Sequence, residues 1–359
     1  MENQHLTYFK VENFKKFDSL EVKDIGQFNL IVGDNNVGKT CLLEALLVDE
    51  DSAQLLNNFY IGLTKRGFKF QIKEVTTKIG STVKTETIYP KENYFKKIIF
   101  GKLGGDMLIE TIINDKKKSF QFKNYKNQIN ELSSESNYLV KGIPLKDYNN
   151  QLIHYKYNNQ SFTFWIYDYD EKILNFPLIS FNDTPLELES RSIYENFKTK
   201  REKQILIDFL KIINQKIVDV ELRENFDDFK NVFLLSFEDK EELLPLNYLG
   251  DGFKRIFYII LKSISLKGKR LMIDEVEIGI HHSKQKEFFI NLFKTCKELD
   301  FQLFATTHSK ECEIAFAEAL KEIEEEKNGR LISLQEEKNG IKAYVYSIQN
   351  LDFDYEYRG

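Results

Sequence analysis

The apolar positions of the chain follow two rhythms, and the change between them gives the first map of the fold. Leu6 to Val11 and Phe17 to Val22 read as short strands joined by the polar turn Glu12-Asn13-Phe14-Lys15-Lys16. Phe28 to Val32 is apolar apart from Asn29 and predicts a buried strand, with a glycine loop directly after it. Cys41 to Val48 then has the apolar density and the good helix formers of a helix packed on a sheet. From Phe68 to about Asp170 the pattern changes to short segments rich in Ile, Val, Phe, Tyr and Thr, cut by Asn114-Asp115 and Asn158-Asn159. This predicts an inserted antiparallel sheet. The clusters Lys116 to Lys118 and Lys123 to Asn130 read as solvated loops and turns in preference to a DNA-binding face. No heptad repeat is sustained between the glycine loop and residue 249, so long coiled-coil arms are not expected.

The second half alternates strands and helices. Pro177 to Phe181 reads as a strand, and Ser192 to Asn214 as a helical section with Ile205, Leu206, Phe209, Leu210 and Ile213 at helical spacing. Strands are expected at Val218 to Leu222, Val232 to Phe237, Arg270 to Ile273 and Gln302 to Ala305. Helices are expected at Phe253 to Ser265, Glu287 to Leu299 and Cys312 to Glu325. Leu331 to Ser347 carries Asn339-Gly340 between alternating segments, a hairpin signal. Such alternation argues for an α/β fold.

Composition narrows the class. With 359 residues, 42% hydrophobic and 14% aromatic, the chain has a real core to bury and is one large domain or two intimate lobes. The formal charge of −5 offers no bulk attraction to nucleic acid or to an anionic membrane, so any DNA contact must be local. Cys41, Cys296 and Cys312 form no CxxC pair and fit neither a disulfide framework nor a zinc site, which points to a reducing cytosol. The longest apolar stretch, Ile256 to Leu261, is far too short to span a bilayer, and the amino terminus lacks a secretory pattern; a cytoplasmic protein with no membrane partner is expected.

Four elements carry chemistry. Gly33-Asp34-Asn35-Asn36-Val37-Gly38-Lys39-Thr40 satisfies GxxxxGK[ST], between an apolar strand and a helix. The glycines let backbone N–H groups turn inward around phosphates, Lys39 would neutralise the β and γ phosphates of ATP, and Thr40 would offer its hydroxyl to Mg²⁺. Cys41 closes this stretch and reads as packing. Leu271-Met272-Ile273-Asp274-Glu275 ends a strand in two acids, with Asp274 on the metal side and Glu275 suited to a general base. Glu277, just beyond, reads equally well as a solvated charge. Leu303 to Ser309 ends a third strand at His308, whose neutral imidazole can hydrogen-bond a γ-phosphate or hold the attacking water. Asn247 to Arg255 places Gly250 and Gly252 at a helix start, readable as an ordinary loop or as a second phosphate-binding terminus that meets the nucleotide of another subunit.

In this order the four elements resemble the ATP-binding-cassette ATPases, in the branch containing Rad50, SMC, RecF and OLD proteins. The resemblance implies an α/β ABC-type P-loop head with a mainly parallel core sheet, an inserted antiparallel β-subdomain and a helical signature lobe. It makes the phosphate loop Walker A, Asp274 and Glu275 Walker B, Leu249, Gly250, Asp251 and Gly252 the signature motif, and His308 the switch histidine. Glu277 to Ser283 is similar to the D-loop of OLD-like ATPases. Asn13 to Phe17 looks like the amino-terminal turn of the family, where a basic residue, Lys15 or Lys16, approaches the nucleotide. Gly250 stands where transporter signatures have serine, and Asn182 is the candidate for the Q-loop position. The implied division is 1–54 for the start of the nucleotide core, 55–175 for the insertion, 176–245 for the helical lobe with connecting strands, and 246–359 for the remaining motifs and the hairpin.

The likeness points further, to stand-alone OLD-like ATPases (AAA_15/AAA_21 type) of bacterial antiphage systems such as PARIS and Septu. It implies two copies sandwiching ATP head to tail, as a dimer or a higher oligomer built on it, that control a separate effector, a nuclease or toxin. Too little chain follows His308 for a Toprim nuclease of its own. The alternative is a RecF-like repair ATPase with nucleic acid as its partner, bound in an ATP-dependent way. A non-hydrolysing sensor is opposed by the intact Glu275 and His308.

Overall fold

The computed structural model describes residues 5–49, 58, 61–62, 73–79, 82–88, 107–113, 115–123, 152–157, 160–165, 176–181 and 187–351. The chain opens with strands β1 (Leu6–Phe14), β2 (Phe17–Lys23) and β3 (Phe28–Gly33) and helix α1 (Lys39–Ala45). Then come β4 (Lys73–Ile79), β5 (Thr82–Ile88), β6 (Met107–Ile113), β7 (Lys116–Lys123), β8 (Leu152–Tyr157), β9 (Gln160–Trp165) and β10 (Leu178–Ile179). Helices α2 (Glu187–Glu195) and α3 (Lys200–Leu210) precede β11 (Ile217–Phe226), β12 (Phe229–Phe237) and β13 (Leu244–Pro245). The last third is α4 (Asp251–Ser265), β14 (Arg270–Ile273), α5 (His282–Leu299), β15 (Gln302–Thr306), α6 (Lys310–Glu322), β16 (Gly329–Glu337) and β17 (Gly340–Ser347).

The core sheet has the order β10-β14-β15-β3-β16-β17, and every neighbouring pair is parallel except β16 and β17. Its central strands β14, β15 and β3 are buried, with Gly33 at the end of β3 half-buried, and are apolar apart from Asn29 and the end residues Arg270, Gln302 and Thr306, because both faces are covered. Leu30, Leu271, Ile273, Leu303 and Ala305 face one hydrophobic core, shared with α3 to α6. Ile31, Met272 and Phe304 face a second core, shared with α1, β1 and β2. The second six-stranded sheet, β2-β1-β6-β7-β8-β9, is antiparallel and extends the amino-terminal hairpin with the inserted strands. No described helix is long and apolar enough to cross a membrane.

Buried amides join the two sheets. Gln302, at the start of β15, donates to the carbonyls of Leu6 (2.8 Å) and Gly26 (2.7 Å), and its Oε1 accepts the Leu6 N–H at 2.8 Å. Removing that amide takes this partner from the buried Leu6 N–H and carbonyl, whereas the Gly26 carbonyl keeps the Asn29 side-chain amide at 2.8 Å. Gln302→Leu is therefore expected to cost about 2–4 kcal/mol in urea unfolding; a loss below about 0.5 kcal/mol would show the join to be dispensable.

Several expectations need correction. β1 continues to Phe14, because Phe14 and Phe17 pair and are both buried, which leaves Lys15-Lys16 as the turn. Lys116 to Lys118 form no loop: they begin β7, opposite Ile113, Ile112 and Thr111, with Lys117 paired to Glu110 at 2.6 Å. The single helical section is two helices, and Thr199 restarts the chain with a capping box whose other member is Glu202. Helix α5 begins at His282, earlier than Glu287, with the His281 side chain accepting from the Ser283 N–H. Residues 124–130, the Asn158-Asn159 turn and Asn182 lie outside the described residues.

Candidate functional site

Parallel register brings the carboxyl ends of β3, β14 and β15 to one edge: Thr306 is level with Ile31, and Ala305 with Ile273. The chain leaves β3 through a loop with left-handed backbone at Gly33 (φ 140°), Asn36 (φ 64°) and Gly38 (φ 112°). A Cβ on Gly33 would overlap the Leu334 carbonyl, and one on Gly38 would lie 3.0 Å from the Phe17 ring, so both positions need glycine. Asp34, Asn35 and Asn36 are exposed, whereas Val37 is buried in the second core and pins the loop.

Lys39 folds back into this loop. Its Nζ donates to the carbonyls of Gly33 (2.6 Å) and Asp34 (3.0 Å) and lies 3.1 Å from His308 Nδ1. Burial pulls the ammonium below the ordinary lysine range, while Asp274, Asp34, Glu275 and Glu277 pull it back up. Thr40, one residue on, points the other way round the helix and donates to Asp274 Oδ2 (3.0 Å) and Oδ1 (3.2 Å). Thr306 also donates to Asp274 Oδ1 (2.7 Å), and its hydroxyl oxygen accepts the Glu275 N–H (2.8 Å). Asp274 is 3% exposed. The converging hydroxyl and carboxylate are hard oxygen donors. No group of three or more His, Cys, Asp or Glu residues suited to a metal exists among the described residues.

Glu275 leaves the strand in left-handed backbone (φ 51°), a conformation that costs a non-glycine residue about 1 kcal/mol or more. Its Oε1 is thereby 3.7 Å from His308 Nε2. The His308 N–H donates to Glu277 Oε1 at 3.0 Å. Lys39, Thr40, Asp274, Glu275 and His308 thus form one constellation, with Gly33 and Asp34 in its wall.

The Leu249–Gly252 stretch stands apart from it. Gly250 caps α4 and is exposed, Leu249 is half-buried, Asp251 is exposed and paired with Lys254 at 3.0 Å, and Tyr248 is 66% exposed, edge-on to the Phe229 ring. Gly252 packs against Gly279 so closely that a Cβ on it would overlap the Gly279 carbonyl. Gly252→Ala should force the two segments apart and cost about 1–3 kcal/mol in a thermal or urea unfolding series; an unchanged midpoint would contradict this packing. Arg255 joins the stretch to the constellation. Its guanidinium donates to the carbonyls of Ser180 (3.2 Å), Phe181 (3.1 Å), Asp274 (2.8 Å) and Glu275 (3.1 Å). Sequence reasoning passed over Arg255 and Thr306; the signal available was a basic residue on the buried face of α4 and a hydroxyl at the end of β15.

The remaining candidates divide. Lys16 reaches the loop, donating to the Asn36 carbonyl, whereas Lys15 turns to Glu44 on α1 and lies over the Phe14 ring. Cys41 packs, half-buried, against the second core. Burial raises the Cys296 thiol well above its ordinary range and pushes Cys312 up to about 12, so neither is a ready nucleophile.

A strand, phosphate loop and helix beside an acid pair and a histidine on adjacent strand ends define a P-loop ATPase. The chain belongs to the family described as AAA domain, putative AbiEii toxin, Type IV TA system, whose model matches residues 28–311. It is 26% identical over 380 residues to an ATP/GTP phosphatase of Helicobacter pylori, covering 97% of each chain. Its fold is that of SMC heads. An SMC head bound to the C-winged helix domain of ScpA superimposes with TM-score 0.58 at 11% identity, covering 96% of this chain and 99% of that one. An SMC head with an extended coiled coil, bound to the C-terminal domain of ScpA derived from Pyrococcus furiosus, gives TM-score 0.52 at 10% identity, covering 96% and 97%. At these identities the likeness is one of fold.

Proposed function

We propose that this chain hydrolyses ATP in a site completed by a second copy of itself, and that the closed and open states of the pair control a separate effector. The observation that carries the first part is the convergence of Lys39, Thr40, Asp274, Glu275 and His308 within hydrogen-bonding or near-contact distances on one sheet edge. Thr40 and Asp274 would hold Mg²⁺, which would supply charge neutralisation for the phosphates. Lys39 would exchange its two carbonyl partners for phosphate oxygens. Glu275 would take the proton of the water that attacks the γ-phosphorus as the bond to the bridging oxygen breaks and ADP leaves. His308, already against Lys39, would hold the γ-phosphate in line.

The second copy is supported by the exposed Gly250 cap, which offers backbone N–H groups to a nucleotide outside its own loop. The SMC heads of like fold are bound to domains of ScpA, which supports a separate protein partner, and the family description names a Type IV TA system, which supports a defence setting. Phosphate release by the purified chain should rise more than linearly with protein concentration; a linear dependence would contradict the shared site. ATP-dependent, salt-sensitive DNA retention without any effector would favour the RecF-like reading instead.

A further inference from the structure

Glu277 lies between two segments that the proposed reaction needs. Its Oε1 accepts the backbone N–H of His308 at 3.0 Å, so the carboxylate grips the loop that carries the imidazole and leaves the ring nitrogens to other partners. The ring then sits with Nδ1 3.1 Å from Lys39 Nζ and Nε2 3.7 Å from Glu275 Oε1. The Glu277 carbonyl accepts the Ile280 N–H at 3.0 Å, which closes the turn behind the acid pair and keeps Glu277 from swinging out. Oε2 is buried, and among the described residues nothing donates to it, so the described hydrogen bond of this carboxylate is the one to the His308 N–H. A buried acceptor in that condition adds nothing to stability, which leaves the hold on His308 as what the side chain contributes.

We infer that Glu277 is a positioning residue, which by holding the His308 backbone fixes the distances from the imidazole to Lys39 and Glu275 on which cleavage of the γ-phosphate depends. The inference rests on the hydrolytic reading given above. Glu277 touches neither the acid pair nor the loop lysine in any described hydrogen bond; it works through His308. Its carbon chain matters for reach and one oxygen for the contact, whereas its charge adds only the smallest of the four carboxylate effects on Lys39. Glutamine keeps both the reach and the accepting oxygen. Alanine keeps neither.

The test compares phosphate release and nucleotide affinity for the wild-type chain, Glu277→Ala, Glu277→Gln, His308→Ala and the double variant Glu277→Ala/His308→Ala. Glu277→Ala should lower kcat about ten- to a hundredfold while the Kd for a fluorescent ATP analogue stays within about twofold. Glu277→Gln should recover turnover to within about threefold of the wild type, since its amide oxygen still accepts the His308 N–H. The double variant should be no slower than His308→Ala, because one residue acts through the other. The inference is overturned if Glu277→Ala turns over like the wild type, if its loss multiplies that of His308→Ala, if glutamine rescues no better than alanine, or if nucleotide affinity falls in step with kcat. Should Glu277→Ala fail to fold by circular dichroism, Glu277→Asp replaces it, since the side chain one methylene short withdraws the same acceptor and should show the same loss. A wild-type chain that releases no phosphate overturns the hydrolytic reading itself, whereas wild-type turnover beside an unaffected Glu277→Ala overturns this inference alone.

Discussion

Glu275→Gln is expected to lower ATP turnover about a hundredfold or more, the scale on which positioned general bases act. The amide cannot accept the proton of the attacking water. It keeps the shape of the carboxylate, and the backbone that sets it is fixed independently: the Glu275 N–H is held by Thr306 Oγ1 and its carbonyl by Arg255. Lys39 and Thr40 are untouched, so nucleotide affinity should persist. Phosphate release measured beside titration with a fluorescent ATP analogue separates the two effects. Equal loss of binding and turnover would show that Glu275 holds ligand instead of moving a proton, and unchanged turnover would remove it from the reaction.

Lys262→Met is expected to cost about 3–5 kcal/mol of stability, the range for removing one member of a buried ion pair. Lys262 is fully buried, and its Nζ is 2.6 Å from Oε1 of Glu189, whose side chain is 5% exposed. The Tyr258 hydroxyl donates to the other oxygen, also at 2.6 Å. The network ties α2 to α4, the helix that begins at Gly250, so its loss should loosen the lobe that carries the exposed glycine stretch. Removing the lysine leaves the Glu189 charge without its cationic partner away from water. Replacing both, as Lys262→Met/Glu189→Leu, should recover most of the loss, because an apolar pair of similar volume needs no compensation. Urea unfolding of the two variants distinguishes a charge effect from a packing effect: a single variant within about 1 kcal/mol of the wild type would refute the argument.

Legibility in the sequence followed physical locality. Gly33 to Thr40 announced itself because a phosphate loop needs glycine at fixed spacing, and the positive φ at Gly33 and Gly38 is that requirement in backbone form. Arg270 to Ile273 and Gln302 to Ala305 were readable because strands covered on both faces carry consecutive apolar residues, here Leu271 to Ile273 and Leu303 to Ala305. The hairpin at Asn339-Gly340 was readable from its turn. What escaped depends on residues far apart in the chain. Nothing local marks Lys262 as the partner of Glu189, or Arg255 as the group that holds the carbonyls after β10 and β14. Phe14 looked like part of a turn because its burial comes from Phe17 opposite it and from the second core. The Thr199-Lys200-Arg201-Glu202 capping box lay in plain sight, and it was the local signal that would have split the helical section correctly.

Arg255 gives the two halves of the proposed site a mechanical connection. The helix that starts at Gly250 holds, through one guanidinium, the carbonyls of Asp274 and Glu275. Contact made by the exposed Gly250 is therefore one side chain away from the backbone of the acid pair, a short path by which closure of the pair would reach the residues that act on the γ-phosphate.

If nucleotide closes two copies of the chain on each other, sedimentation velocity of Glu275→Gln will show the pair. With Mg²⁺ and ATP at concentrations that saturate the loop, the variant should sediment at twice the mass it shows without nucleotide. The same experiment on Glu275→Gln/Lys39→Ala should show the single mass throughout. A single-mass species for Glu275→Gln with ATP demonstrably bound would contradict the account.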